Sequence, residues 1–430
     1  MAPITVYGDV DARAVEQLVR CAEAGDALRG VLCADGHVGY SQPIGGALAY
    51  PEHISPSGVG YDIACGTKAC RTNITAADLA PDRAGVMDAI FDEISFGVGR
   101  KNAEPVEHPV LDAIRDANFA PQRGLIEMAA QQLGTVGSGN HYVDLFEGDD
   151  GYVWVGVHFG SRGFGHKTAS GFLALAQGLP FEGRATQGEM DSPPVLFEVG
   201  SELGGSYVSG MQLAGDYAHA GRDVVVAKVL EILGAEATNE VHNHHNLAWR
   251  EDHFGRSYWV IRKGCTPARP GQEGFVGGSM GDESVILEGV EGEEAVESLY
   301  STVHGAGRVM SRTQAAGRVR RRKRWMCTNR DCDRIFEEQG SCPDHPGAGM
   351  KKVWVQEQLK PGLVDWPAVQ ARLREQGIVL VGGGADEAPE VYKRLPDVLD
   401  AHSGSVRVKH RLRPLGVAMA GRDIRDPYKD

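Results

Sequence analysis

The chain is 430 residues long, with 42% hydrophobic and 24% charged residues and a formal net charge of −14. This composition excludes wholesale disorder, and the length admits either several domains or one large α/β body. The negative charge excludes a protein that coats nucleic acid through a uniformly basic surface, although a local basic groove escapes that test.

Met1 to Asp11 lacks a basic-then-apolar leader pattern and no run of about 18 apolar residues occurs, so the expected compartment is the cytoplasm, without membrane attachment. Residues 12–29 show helical spacing (Val15, Leu18, Val19, Ala22) up to Gly30, and Val31-Leu32-Cys33 follows as a short buried strand. Glycine and proline are dense from Gly36 to Gly66, which predicts loops and short strands. Tyr152–Val157 and Tyr258–Ile261 are β-branched and aromatic and read as strands, whereas 211–233 and 284–302 favour helix. Strands and helices alternate without a regular βαβ period. Eight cysteines, at 21, 33, 65, 70, 265, 327, 332 and 342, do not read as a disulfide framework in a chain this long; metal binding or plain burial accounts for them.

Four constellations carry chemistry. In Gly58-Val-Gly-Tyr-Asp62-Ile-Ala-Cys65-Gly66, a carboxylate and a thiol stand three residues apart between glycines that let the backbone fold around an ion. That pair suits Mn²⁺, Zn²⁺ or Co²⁺ better than Mg²⁺, which prefers oxygen alone; an Asp near a buried Cys is also what ordinary packing produces. His141, in Gly137-Ser-Gly-Asn140-His141, and His158, in His158-Phe-Gly-Ser-Arg162-Gly163, lie in Gly-rich turns that offer N–H groups to phosphate, or read as hydrogen-bonded turn or core residues. His242-Asn-His244-His245-Asn246 puts three imidazoles in four positions, at least one of them a ligand candidate and the others solvated turn residues. In His304-Gly-Ala-Gly-Arg308 small residues permit close approach of a nucleotide, the Arg suits a phosphate, and His304 reads as a nucleophile or as a plain turn residue. Arg262–Arg269 and Gly277–Gly281, with Ser284 nearby, read as polyanion-binding loops.

Residues 318–350 differ sharply from their flanks and read as an insertion. Arg318-Val-Arg-Arg-Arg-Lys-Arg324 has six basic residues in seven, and Cys327, Cys332, Cys342 and His345 follow at spacings near those of structural zinc knuckles. The other reading is a solvated basic linker with reduced, unliganded cysteines.

Taken in order, these segments resemble the RtcB family of RNA ligases from about Asp35 to Arg413. The residues that carry the likeness are Asp35-Gly-His-Val-Gly-Tyr40, Pro43-Ile-Gly-Gly46, Ser55 through Gly66, Gly137-Ser-Gly-Asn-His141, His158 through Gly163, His245-Asn246, Arg262-Lys-Gly264, Gly278-Ser-Met-Gly281, His304 through Arg308 and Asp386-Glu-Ala-Pro389. The resemblance implies one large α+β catalytic domain, residues 1–317 and 351–430; the 318–350 insertion, zinc-ribbon-like by its own spacing, is unlike the common family pattern. It implies joining of an RNA 3′-phosphate or 2′,3′-cyclic phosphate end to a 5′-hydroxyl end with GTP and two Mn²⁺ ions, in tRNA splicing or RNA repair, with archease as an activating partner to consider. Asp62, Cys65, His141, His158 and His245 would hold the metals, Cys65 bridging both, and His304 would take GMP. GTP would lie against Asn140, His141, Tyr142, Val143, Asp144, His245, Asn246, Gly277, Gly278, Ser279, Met280, Ser284, His304, Gly305, Ala306 and Gly307. By the resemblance Arg162 would meet RNA phosphate, with Arg308 a second candidate; by the insertion's own spacing and charge, Cys327, Cys332, Cys342 and His345 would hold structural zinc and the basic run would dock RNA beside the site with strong salt dependence.

The chain departs from the family pattern at Asp144, where Glu is usual, at Gly277, where Pro is usual, and at Ala420, where a nucleotide-touching Lys is usual; Lys429 in the tail is the candidate substitute. Two other functions fit the same residues. One is a metal-dependent phosphodiesterase or nucleotidyl hydrolase with no covalent His304 step, and the other a non-catalytic RNA-end-binding protein.

Overall fold

Apolar runs that are buried on both faces build the centre of the molecule. The computed structural model describes residues 2–186, 190–329, 332 and 334–421. Its largest sheet runs Glu273–Val276, Ser284–Gly289, Val406–Gly421, Tyr142–Gly148, Tyr152–Phe159, Gly66–Thr75, Ala237–His244, each antiparallel to the next, with Val379–Gly383 added parallel to Val406–Gly421. Along Tyr152–Phe159 the odd residues Val153, Val155 and Val157 pack on Val225, Val226 and Val229, which belong to the long helix Glu202–Leu233. Trp154, on the opposite face, meets Phe146, Phe275 and Leu412. A strand buried on both sides needs such a continuous apolar run.

The second sheet runs Ile4–Val6, Arg29–His37, Ile44–Tyr50, Arg256–Lys263, Asn246–His253. One of its faces packs on the helices Ala12–Ala24, Arg162–Ala176 and Glu202–Leu233 through Leu18, Leu48, Phe172 and Tyr207; the other meets the first sheet through Val31, Ala49, Val260, Val285 and Leu287. The result is a single large α+β domain, with functional loops gathered where the strands of both sheets end.

Local differences from the sequence reading have identifiable causes. The first helix stops at Ala24, at Gly25, and its core stripe is Ala14, Leu18, Cys21 and Ala22, with Val15 and Val19 at the margin. The strand after it is nine residues long, Arg29–His37. Residues 284–302 are not one helix: Ser284–Gly289 is a buried strand, Glu293–Glu297 a short helix and Ser301–Val303 another strand. Val285 and Ile286 decide this, because β-branched residues buried on both faces fit a central strand better than a helix turn.

The inserted segment projects as a ribbon. Gly317–Cys327 and Met350–Pro361 pair antiparallel from Gly317 opposite Pro361 to Cys327 opposite Met350, and Ile335–Phe336 adds a third short strand near the tip. All eight cysteines are free of disulfides. Among the described residues no helix is long and apolar enough to cross a membrane.

Candidate active site

The loop that carries Asp62 and Cys65 is held from several sides. Ser55 caps the helical turn Pro56–Val59, its Oγ accepting the Gly58 N–H at 2.9 Å. Beyond it Cys65 N–H donates to the Asp62 carbonyl at 3.1 Å, Ala64 N–H to Asn246 at 2.6 Å, and His245 N–H to Cys65 at 2.8 Å. Ala64 adopts φ +57°, a left-handed conformation that costs a non-glycine residue about 1–3 kcal/mol. Gly160 lies where a Cβ would overlap the Asp62 carboxylate, so only glycine lets the end of Tyr152–Phe159 approach this loop.

Five side chains from four places in the chain converge there. Cys65 Sγ lies 3.6 Å from His141 Nε2 and 3.3 Å from His158 Nε2. His141 Nε2 is 3.1 Å from Asp62 Oδ2, and His158 Nε2 is 3.3 Å from His245 Nε2. They form two sets, Asp62–Cys65–His141 and Cys65–His158–His245, each with ligand atoms within 4.8 Å of one another and Cys65 common to both. The outer ring nitrogens fix the tautomers: His141 Nδ1 donates to the Val136 carbonyl at 3.0 Å and His158 Nδ1 to the Asn140 carbonyl at 2.9 Å. Both rings therefore turn Nε2 inward, the orientation that metal ligands require.

Burial and neighbouring charges set the protonation of the cluster. Burial pushes His158 down to about 3 and His245 well below the ordinary imidazole range, so both are neutral. Burial and the Asp62 charge push the Cys65 thiol up; burial also opposes ionisation of Asp62, but the contacts with His141 and Cys65 and the Arg162 guanidinium outweigh it and hold that carboxyl well below its usual range. Potential ligand atoms of sulfur, nitrogen and oxygen crowded at 3.1–3.6 Å could hold a metal ion, and so mixed a donor set suits a transition ion better than Mg²⁺.

His304 follows the strand Ser301–Val303. Its Nδ1 is 2.6 Å from Asp35 Oδ2, which also accepts the backbone N–H of His304 at 2.9 Å and of Gly305 at 3.3 Å. Burial opposes ionisation of Asp35, but the His304 contacts outweigh it and its pKa falls. The carboxylate fixes the proton on Nδ1 and leaves Nε2 bare, with the ring 4.9 Å from that of His245. Asp35 appears in the sequence only as part of a motif. A carboxylate among the apolar and small residues of a strand was the available signal, and its partner lies 269 positions away.

A cleft of about 580 Å³ opens beside His304. Asn140, Tyr142, Asp144, Gly277 through Met280 and Gly305 through Gly307 line it, and its two Gly-rich turns touch through a Gly277–Gly305 bridge. Val143 points away into the core, Ser284 Oγ accepts the Gly278 N–H at 3.0 Å and braces the turn, and Asn246 ties Gly264 N–H at 2.7 Å to the Asp62 carbonyl at 3.3 Å. The Asp144 Oδ1 and Tyr142 Oη atoms are buried without a hydrogen-bond partner, and burial pushes both groups well above their usual pKa. A Cβ on Gly277 would stand 2.5 Å from Tyr142 Oη, so the tyrosine hydroxyl explains glycine there. Ala420 is half-buried on Val406–Gly421, and Lys429 lies outside the described residues.

The cations divide into lining and structural ones. Arg162, at φ +53°, packs its guanidinium against Gly137 and donates to Thr135 Oγ1 at 3.3 Å. Arg308 lines the cleft while bound to Glu387 at 3.2 Å, Tyr392 Oη at 3.0 Å and the Asp386 carbonyl at 2.8 Å; its neighbour Arg312, not singled out in the sequence, pairs with Glu387 at 2.5 Å. Lys263 lines the cleft, its Nζ donating to the Tyr40 carbonyl at 2.6 Å, and burial lowers it to about 8. Arg262, read in the sequence as an anion binder, is fully buried in a two-pronged ion pair with Glu251. His242 and His244 are not solvated turn residues. They sit half-buried on Ala237–His244 and accept from Arg222 at 2.7 and 2.8 Å, while the same guanidinium holds the Ala64 and Phe159 carbonyls at 3.1 and 2.6 Å. Arg222 went unnoticed because an arginine within a helix ordinarily faces water.

At the ribbon tip Cys327, Cys332, Cys342 and His345 bring their ligand atoms within 4.8 Å of one another. Cys332 and Cys342 Sγ are 3.7 Å apart, close to the ~3.8 Å edge of a tetrahedron built on Zn–S bonds of about 2.3 Å.

A family model described as the tRNA-splicing ligase RtcB matches residues 17–120 and 116–342. An RNA-splicing ligase RtcB1 of Escherichia coli is 33% identical over 334 residues, which cover 71% of this chain and 80% of that protein. The tRNA-splicing ligases RtcB of Archaeoglobus fulgidus and Thermococcus kodakarensis are 30% and 29% identical, covering 94% and 90% of this chain and 90% and 87% of theirs.

Proposed function

The chain belongs to the RtcB family of RNA-splicing ligases, and from that premise we propose that it joins an RNA 3′-phosphate or 2′,3′-cyclic phosphate end to a 5′-hydroxyl end with GTP. The observation that carries this reading is His304, whose Nδ1 proton is committed to Asp35 at 2.6 Å while Nε2 keeps its lone pair beside the His245 ring. That is the form in which imidazole attacks phosphorus.

In the first step His304 Nε2 bonds to the α-phosphorus of GTP as the bond to the β-phosphate oxygen breaks and pyrophosphate leaves. The imidazole keeps its Nδ1 proton and becomes cationic, and the buried Asp35 carboxylate offsets that charge. An oxygen of the RNA 3′-phosphate then displaces His304 from the guanylate, returning the ring to neutrality. Finally the 5′-hydroxyl oxygen attacks the activated RNA phosphate, loses its proton, and GMP leaves. A cyclic phosphate is first opened by water to the 3′-phosphate.

Asp62, Cys65, His141, His158 and His245 would hold two Mn²⁺ ions, which supply charge stabilisation to phosphate oxygens. Asp144 offers the base an unpartnered buried oxygen, and the N1–H and 2-amino group of guanine are the matching donors. Arg162 and Arg308 would face RNA phosphate, and the tip set would take structural zinc.

The test is incubation with Mn²⁺ and α-labelled GTP followed by denaturation. Label retained on the protein and lost in His304→Ala is the expected result. Metal-dependent phosphodiester cleavage with no adduct from either GTP or ATP would replace this reading by the hydrolase.

A further inference from the structure

The ribbon carries an aromatic and cationic face that the ligation chemistry does not use. Lys323 pairs across the ladder with Trp354, and Trp325 with Lys352. Side chains alternate along a strand, so these four share one face. Lys323 Nζ stands 5.1 Å from the Trp354 ring centroid and Lys352 Nζ 5.1 Å from that of Trp325, so that indole and ammonium exchange places between successive rungs. Trp354 is 63% exposed, an area of indole that packing alone would have covered.

Charge indicates the occupant. Residues 317–361 hold eleven Lys and Arg against six Asp and Glu, in a chain whose net charge is −14. The ribbon starts at the cleft wall, since Arg312 and Gln314 of the short helix Arg312–Ala316 line the cleft and Gly317 follows directly. At about 3.3 Å per residue, Trp325 lies roughly 25 Å out along the strand.

We propose that this face binds a single-stranded segment of RNA, its bases stacked on Trp354 and Trp325 and its phosphates paired with Lys323 and Lys352. Stacking of this kind tolerates any base, because each has a π-face, and it selects unpaired strands, because a duplex conceals those faces. An acidic peptide would use the ammonium groups and leave the indoles idle. The proposal rests on RNA being the substrate, as argued above, but its test involves no ligation.

The probe is a single-stranded RNA of about 20 nucleotides with hydroxyls at both ends, mixed with the full chain without GTP. Tryptophan fluorescence should be quenched on binding. Trp354→Ala should weaken binding about tenfold, Trp354→Phe should retain most of it, and affinity for a blunt duplex of equal length should change little in either. Lys323→Gln with Lys352→Gln should flatten the log–log salt dependence by about 0.7 per lysine. Unchanged single-strand affinity in Trp354→Ala overturns the proposal, as does an equal loss for duplex or preferential binding of an acidic peptide. GTP labelling of His304 in the same Trp354→Ala protein keeps the two readings apart, because it should be intact whichever way the binding result falls.

Discussion

Two clusters among the described residues combine cysteine with histidine, and they are built in opposite ways. The ligands around Cys65 come from positions 62 to 245 and hang on the ends of strands whose cores are filled by Val155, Trp154 and Phe159. Those around Cys342 come from residues 327 to 345, on a ribbon tip with little apolar material of its own. The first arrangement is held in place by the fold, and under the proposed reading its ions would keep coordination positions for substrate. The second would close on its own four ligands, and its order would then depend on the ion they hold.

Removing single ligands would break or sharpen that contrast. The largest effects fall on activity: Cys65→Ala and His304→Ala should each lower ligation by about a thousandfold or more, with thermal unfolding of the body shifted little. Loss of cooperative unfolding in Cys65→Ala would show that the site is part of what folds the body. Chelation, or Cys342→Ser, should do the reverse at the tip, where structural zinc in small modules contributes about 10 kcal/mol or more of folding free energy. Residues 328–349 should become open to protease while the body stays resistant, and a tip that stays protected after chelation would remove zinc from the account.

How far each cluster was legible follows from the same contrast. The tip ligands fall within nineteen residues of sequence, and their spacing alone suggested zinc. For the body cluster, His141 and His158 lay in Gly-rich turns and His245 in a run of three histidines, each ambiguous singly, and only the resemblance across the whole chain joined them. What could not be read was what long-range packing decides. Asp35 meets His304 across 269 positions and Arg222 meets the Ala64 carbonyl across 158. Likewise, the strand at Ser284–Gly289 was hidden in the stretch 284–302, read as helix, because its burial between two other strands is a tertiary fact.

A smaller effect tests whether the body holds His304 by Asp35. Asp35→Asn keeps the shape but can accept from or donate to Nδ1, so the bare nitrogen need no longer be Nε2. Adduct formation should slow about 10²- to 10⁴-fold, with GTP affinity changed far less. A pure loss of affinity would make Asp35 a structural residue only. Nearby, His402 is fully buried, its Nε2 accepting the Ala34 N–H at 3.1 Å, and burial lowers it to about 4. An unfolded histidine titrates near 6.5, so between about pH 6.5 and 4 the unfolded chain binds a proton that the folded chain does not. Stability should therefore fall as pH drops through that window, by up to about 1.4 kcal/mol per pH unit from this residue, and His402→Gln should flatten the slope. A slope unchanged in that variant would assign the acid sensitivity to other groups.

The smallest effect concerns the strain at Ala64. Among the described residues of the ribbon no non-glycine residue has positive φ, whereas the body places Ala64 and Arg162 there, both beside the ligand cluster. Ala64→Gly loses a buried methyl worth about 0.8 kcal/mol and adds about 0.5–1 kcal/mol of backbone entropy, and relief of about 1–3 kcal/mol of left-handed strain offsets both. Ala69→Gly, in the adjoining strand Gly66–Thr75 and equally buried, has no strain to relieve and should cost about 1.3–1.8 kcal/mol. Denaturant unfolding of the two variants measures the difference directly. If both cost the same, Ala64 is unstrained; if Ala64→Gly is nearly neutral in stability yet binds Mn²⁺ several-fold more weakly, the strained turn serves to hold Asp62 and Cys65 in register before any ion arrives.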